Sequence, residues 1–333
     1  MRLHVATGYL TAIVLASTFF LVSPVHAQAW INQNPDPSSG PLRRGIHFID
    51  SSTGWAVGTG GRIEKTTDGG ATWESQASGT VQNLLSVRFV NTRTGVTAGS
   101  SGTIRKTADG GITWTAVTSG TTRTLHDIFF LTSTTGWAVG EGGVILRTTN
   151  TGDTWTTQFS DANMTLFAIH VVNSKLGFAV GFSGTLPGAT GVVLRTTDGG
   201  SSWTEVRSGQ GTPRFRGVYF TSTTRGWAVG DAGTISTTSN AGTSWTAQIS
   251  NTTQTLQDVF FVTPSTGYAV GNNGTILRTT TSGSIWSAET GGAATLYDVY
   301  AVTANLAFAV GDAGRLLRRD DLAPSDPDAL AIR

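Results

Sequence analysis

The sequence predicts an all-β protein, a seven-bladed β-propeller of four-stranded blades whose ring is closed by the N-terminal strand. Three observations carry that prediction. The octet Thr66-Thr67-Asp68-Gly69-Gly70-Ala71-Thr72-Trp73 returns as TADGGITW (107–114), TTNTGDTW (148–155), TTDGGSSW (196–203), TSNAGTSW (238–245) and TTTSGSIW (279–286). A second element of GWAVG type recurs seven times, its closing glycines stepping by 41, 41, 41, 49, 41 and 40 residues from Gly58 to Gly311. A β-type pattern with a period of about 40 residues marks a propeller or solenoid. Third, the two ends complement one another. The seventh unit stops after Leu316-Leu317-Arg318 without a Trp, whereas Trp30-Ile31-Asn32-Gln33 reads like Trp245-Thr246-Ala247-Gln248, a last strand lacking its blade. Pairing the two leaves no open blade at either end of the ring.

Each unit divides into four short strands, a to d. Strand a follows L-x-D-V-x-F and is typified by Leu125 to Phe130; strand b is the GWAVG element, as at Gly136 to Gly140. A tight glycine hairpin leads to strand c, Val144 to Arg147, and the octet joins c to d at Trp155. In the octet, a short Asp or Asn side chain braces the turn by bonding backbone N–H groups two residues on, and glycine supplies positive φ. Asp68, Asp109, Asn150, Asp198 and Asn240 are the expected braces. Trp73, Trp114, Trp155, Trp203, Trp245 and Trp286 are the side chains each turn is expected to hand to the core. Thr281 replaces the brace in the sixth copy, so that turn should be the loosest. Strand c ends in a cation in six blades (Lys65, Lys106, Arg147, Arg195, Arg278, Arg318, with Thr237 the exception), as expected of a structural position that bonds a neighbouring turn.

The 333 residues carry a formal charge of +1 with 13% charged residues, which argues against a strongly electrostatic partner such as nucleic acid. With no Cys, disulfides, thiolate nucleophiles and zinc knuckles are excluded, and the five His show no metal-ligand spacing. Neither a cofactor nor a metal is expected. Met1-Arg2, an apolar run from Leu10 to Val22, and Ala27-Gln28-Ala29 form a secretory signal peptide over residues 1–27, with cleavage after Ala27 or Ala29 fitting equally well. The propeller is expected over 28–321 and a disordered tail over 322–333. The expected product is a soluble, exported monomer, periplasmic or extracellular, without a lipid anchor.

The d–a and b–c connections share one face, here the top. Arg43, Arg44, Arg123, Arg214 and Arg216 fall there with His126, Phe167, Gln257 and Tyr297. Arginine with aromatic neighbours suits recognition of carboxylates, phosphates or peptides. The b–c hairpin of blade four, 182–191, is about seven residues longer than its siblings, and adds Phe182 and Leu186 to the candidates; insertions in repeat proteins map to loops, often on the binding face. No catalytic residue is assigned: there is no GxSxG elbow, P-loop or HExxH, and the top-face acids lie mainly at repeat-equivalent positions.

The octet resembles the Asp-box, or bacterial neuraminidase repeat, of sialidases, two-propeller xyloglucanases and sortilin-type receptors. The combination of L-x-D-V-x-F, GWAVG, GxI and TTDGGxTW, over residues 30–321, more closely resembles the photosystem II assembly and stability factors and their relatives in non-photosynthetic bacteria. That resemblance implies a non-catalytic seven-bladed propeller that binds a protein or peptide through an arginine-rich patch. Photosynthetic members act on newly made reaction-centre protein, so a membrane-protein assembly intermediate is one implied partner. The alternative is a carbohydrate-active or glycan-binding propeller. Against a sialidase, the F/Y-R-I-P start is replaced by Pro41-Leu42-Arg43-Arg44-Gly45.

Overall fold

The structure is a computed structural model, described over residues 30–33, 42–207 and 211–321. The expected signal peptide and C-terminal tail lie outside the described residues. Seven four-stranded antiparallel sheets follow one another around a ring. Blade three shows the plan: a, Leu125–Phe130; b, Gly136–Gly140; c, Ile145–Thr148; d, Thr156–Phe159. Strand c thus starts and ends one residue later than the sequence suggests. The seventh sheet takes its outer strand, Ile31–Asn32, from the N-terminal end of the described chain, with Ile31 opposite Arg318 and Asn32 opposite Leu317. Trp30 anchors this closure: it is buried edge-on against Tyr268, and its indole N–H donates to Glu289 at 2.8 Å.

Blades are glued by aromatic sandwiches. The large residue of strand b stacks on the strand-a Phe of the next blade: Trp55 on Phe89, Phe178 on Phe220, Trp227 on Phe261, and Phe308 on Phe48 across the closing junction, at 3.4–4.2 Å between centroids. The octet Trp then meets that Phe edge-on, as Trp114 meets Phe89 at 5.8 Å and 86°. Such contacts are favoured by the ring quadrupoles. The glycine at the head of strand b makes room, since a Cβ on Gly226 would lie 2.6 Å from the Phe220 ring. The strand-b aromatics Trp55, Trp137, Phe178, Trp227, Tyr268 and Phe308 are therefore fully buried. The octet Trp residues sit nearer the rim, and Trp73 and Trp245 are only half-buried, less enclosed than the sequence implies.

The octet turn is braced over four residues rather than two. Thr107 Oγ1 accepts from the Gly111 N–H at 2.9 Å, and Asp109 accepts from the Thr113 N–H at 2.9 Å and from its hydroxyl at 2.6 Å. In the sixth copy the Thr281 hydroxyl still accepts the Ile285 N–H at 2.9 Å, so that turn keeps its backbone clasp; Ile285 has no hydroxyl to add the second bond. Some strand-c cations do bond the next turn: Lys65 donates to the Gly110 carbonyl at 3.1 Å, and Lys106 pairs with Asp153 at 2.6 Å. In blade five, where Thr237 replaces the cation, Arg225 reaches the Ser282 carbonyl at 2.8 Å from the start of strand b and restores the link.

Candidate functional site: the axial channel and its mouth

Strand a lines the channel, and an irregularity repeated in all seven blades decides which residues do so. Counted from the Leu position of the L-x-D-V-x-F motif (Leu166 in blade four), the a–b register shifts between the first and third residues, as between Leu125 and Asp127. A bulge of this kind adds a residue to one strand and re-aims the local side chains. In blade three, Leu125 and Ile128 point into the blade and are fully buried, while His126, Asp127 and Phe129 are left for the channel. Across the ring the second, third and fifth residues of strand a form three tiers.

The top tier is the mouth. Arg44, Leu85, His126, Phe167, Arg216, Gln257 and Tyr297 line a depression of about 440 Å³, edged by Ser100, Thr124 and Glu141. The Arg44 guanidinium sits 3.8 Å from the Tyr297 ring centroid and that of Arg216 4.6 Å from Phe167. Tyr297 donates its hydroxyl to Asp312 at 3.0 Å, and Gln257 its amide to Asn272 at 2.9 Å, so both are held by the b–c hairpins of their own blades. His126 packs against Phe167 at 5.0 Å. Burial, with the charges of Arg216 and Arg44 adding to it, pushes its pKa down to about 4, which leaves a neutral imidazole.

Other sequence candidates fall elsewhere. Arg43 is a correction: as the first residue of its strand it points into the blade, is 5% exposed, and is paired with Glu64 at 2.6 Å while also donating to the Gly314 carbonyl. Arg123 stands exposed in the d–a loop, outside the mouth. Arg214 pairs with Asp231 at 2.5 Å and lies over Phe182 at 5.8 Å; Arg216 shares the same Asp231 at 3.3 Å. Phe182 contacts Phe167 at 5.7 Å and so borders the mouth from blade four. The 182–191 segment is not all loop: Phe182 pairs with Gly191 and Ser183 with Thr190, extending the hairpin upward and leaving Leu186 exposed at its tip.

The middle tier holds Asp127, Asp258 and Asp298. Each carboxylate reaches the next blade: Asp127 accepts from the Ile169 N–H at 3.1 Å, Asp258 from Val299 at 3.1 Å, and Asp298 from Ile46 at 2.7 Å. These acids therefore brace the ring, and the last of them spans the closing junction. The bottom tier is an almost unbroken aromatic girdle. Phe129, His170, Tyr219, Phe260, Tyr300 and His47 follow one another with centroids 4.6–5.0 Å apart, and Arg88 fills the seventh position. Arg88 lies 3.9 Å from Asp127. Burial drives His170 down to about 3 and His47 well below its usual value, with Arg88 adding to both. Burial and the neighbouring Asp258 raise Asp298 well above the usual carboxylate range. Leu85 and the girdle were missed by sequence reasoning, although position five of L-x-D-V-x-F, rich in aromatic and His residues, carried the signal.

Comparisons with known proteins place this geometry. The chain matches the model of a family described as photosynthesis system II assembly factor YCF48 over 25–118, 78–156 and 113–259, overlapping stretches that take in more than half of its length. No curated protein matches it. Among solved structures it is similar to YCF48 from Cyanidioschyzon merolae, with TM-score 0.70, 19% identity, and 88% of this chain and 99% of that one covered. It is also similar to YCF48 bound to D1 peptide, with TM-score 0.71, 21% identity, and 88% and 97% covered. A GH74 enzyme of Niastella koreensis aligns with TM-score 0.61 and 17% identity over 86% of this chain but only 52% of the enzyme. The propeller thus spans about half of that enzyme, and at these identities the structural likenesses speak for the fold. With a family model covering most of its blades, the chain belongs to the photosynthesis system II assembly factor YCF48 family.

Proposed function

We propose that this protein is an exported, non-catalytic propeller that binds a protein or peptide segment at the channel mouth and acts as an assembly or stability factor. One observation carries the proposal: Arg44, His126, Phe167, Arg216, Gln257 and Tyr297, drawn from six different repeats, converge on a single depression in which two guanidiniums rest against aromatic faces. A guanidinium held on a ring keeps its outward N–H groups for a bidentate anion, so an acidic side chain or a chain-terminal carboxylate is the favoured anchor. Arg44 makes no ion pair among the described residues, whereas Arg216 shares Asp231 with Arg214. Membership of the YCF48 family and the likeness to YCF48 bound to D1 peptide support a peptide partner. The commitment of all three channel carboxylates to backbone N–H groups of the next blade supports a non-catalytic role.

The test is fluorescence anisotropy with D1 peptide and with peptides matched in length but differing in acidic content. Arg44→Ala with Arg216→Ala is expected to weaken binding by about tenfold or more, since a hydrogen bond to a charged group contributes about 1.5–3 kcal/mol. Equal affinity of the double variant would refute the mouth as the binding site. Saturable binding of oligosaccharides in place of peptides, measured alongside, would move the assignment to glycan recognition.

A further inference from the structure

Beneath the mouth the channel passes the three carboxyl groups and opens into a chamber of about 290 Å³, walled by the girdle. Mouth and chamber are connected, because the space between them is lined by Arg44, Arg216 and Tyr297 from above and by Arg88, Asp127, Asp258 and Asp298 from below. Two features set the chamber apart from a packed core. The side chains of His170, Tyr219 and Tyr300 make no hydrogen bond among the described residues, although all three line it. All three are half-buried, so their polar atoms stay open to the chamber and give its wall hydrogen-bonding capacity for an occupant. The charges also fail to balance: one guanidinium, Arg88, faces three carboxyl groups, and both imidazoles are held neutral.

We propose that the chamber is a receptor site for a primary ammonium group, seated between Asp258 and Asp298 and against the faces of Tyr219, Phe260 and Tyr300. The chemistry selects this class. Three carboxyls exclude an anion. A hard metal ion asks for six or more oxygen ligands, whereas this wall sets three carboxyl groups among aromatic and aliphatic side chains, and no metal-holding group of His and carboxylates occurs among the described residues. Aromatic faces with carboxylates suit a compact organic cation, through cation–π attraction and charge-assisted hydrogen bonds. Each Asp gives one oxygen to a backbone N–H at 2.7–3.1 Å, which fixes the carboxyl, and Asp298 shares a hydrogen bond with Asp258. Asp298, facing Asp258, Arg88, Asp127, Tyr300 and the neutral His47, already favours holding a proton; an ammonium would take the place of that one positive charge. The site is independent of the anion-binding role given to the mouth.

Isothermal titration calorimetry on the full chain tests this, using ethylamine and two peptides that differ only in a free or acetylated amino terminus. Saturable binding of ethylamine would identify a free amine as a ligand; binding confined to the free-terminus peptide would identify a chain terminus, and either supports the site. In both cases Asp258→Asn, which keeps an acceptor for the Val299 N–H, and Phe260→Leu, which removes a π face at similar volume, are expected to weaken binding at least tenfold while circular dichroism stays unchanged. Arg44→Ala with Arg216→Ala should leave ethylamine binding as it is, separating this site from the mouth. Failure of both the amine and the free-terminus peptide to bind, or equal binding by the Asp258 and Phe260 variants, would overturn the proposal.

Discussion

Neighbouring residues meet opposite fates at the residue scale. Arg43 and Arg44 are adjacent and chemically identical, yet one is buried against Glu64 while the other lies over Tyr297 at the mouth. The difference comes from the alternation of a strand, in which successive side chains take opposite faces, with the pairing of Arg43 opposite Gly58 fixing which of the two turns inward. The sequence shows two arginines at a strand start, and only the register decides which faces the mouth. The octet tryptophans diverge in the same way. Trp155 is 8% exposed and packs with Val96 and Leu125, whereas Trp245 is half-buried. Trp155→Ala is expected to cost about 3–5 kcal/mol in urea unfolding, in line with large-to-small core changes. Trp245→Ala should cost distinctly less, and neither should alter peptide binding. Equal destabilisation by the two substitutions would show that depth at the blade junction does not set their contribution.

At the scale of the element, the octet is a turn held by side chains, and this much was legible in the sequence. Thr at its first position, Asp or Asn at its third and a hydroxyl at its seventh link the same positions in copy after copy, the hydroxyl donating to Asp109 in an Asp copy and accepting from the Asn150 amide in an Asn copy. What the sequence concealed was a second reason for the glycine at the fifth position: Gly200 has φ +92°, and a Cβ there would lie 2.9 Å from the Trp137 indole nitrogen of the preceding blade. The glycine serves a neighbouring repeat as well as its own turn. Hydrogen bonds from Thr113 hold the Asp109 carboxyl down to about 2, from 3.8. A depressed carboxylate stabilises the fold above its unfolded pKa, and that contribution is lost as pH falls through the folded value. Asp109→Asn has natural precedents in the Asn150 and Asn240 copies, and should therefore melt close to the parent at pH 7. Any advantage of the parent should shrink between about pH 4 and pH 2. A difference in melting temperature that is constant across that window would count against the carboxylate as the titrating brace.

For the whole molecule, closure is a matter of two residues and one indole. Ile31–Asn32 completes the seventh sheet, and Trp30 fills the space beside Tyr268. Removing residues 30–33 exposes the edge of Leu316–Asp320 and empties the Trp30 site. It should therefore lower the melting temperature more than Trp30→Ala alone, and promote association through the freed edge. An unchanged melting temperature on deletion would refute the closure as a source of stability. The seven repeats, the strand boundaries of the typical blade to within a residue and the shared last blade followed from the sequence by itself, because period, turn chemistry and alternation are local and are written seven times; in blade four strand b runs two residues beyond that reading. Six of the seven strand-a residues at the mouth were also legible in the sequence, but the tertiary structure decided which arginines face it and what lies beneath it. The bulge is set by pairing between strands, the mouth gathers residues about 40 or more positions apart, and the aromatic girdle exists only once seven strands stand around one axis. Local rules specify each blade, whereas the channel is made by the ring.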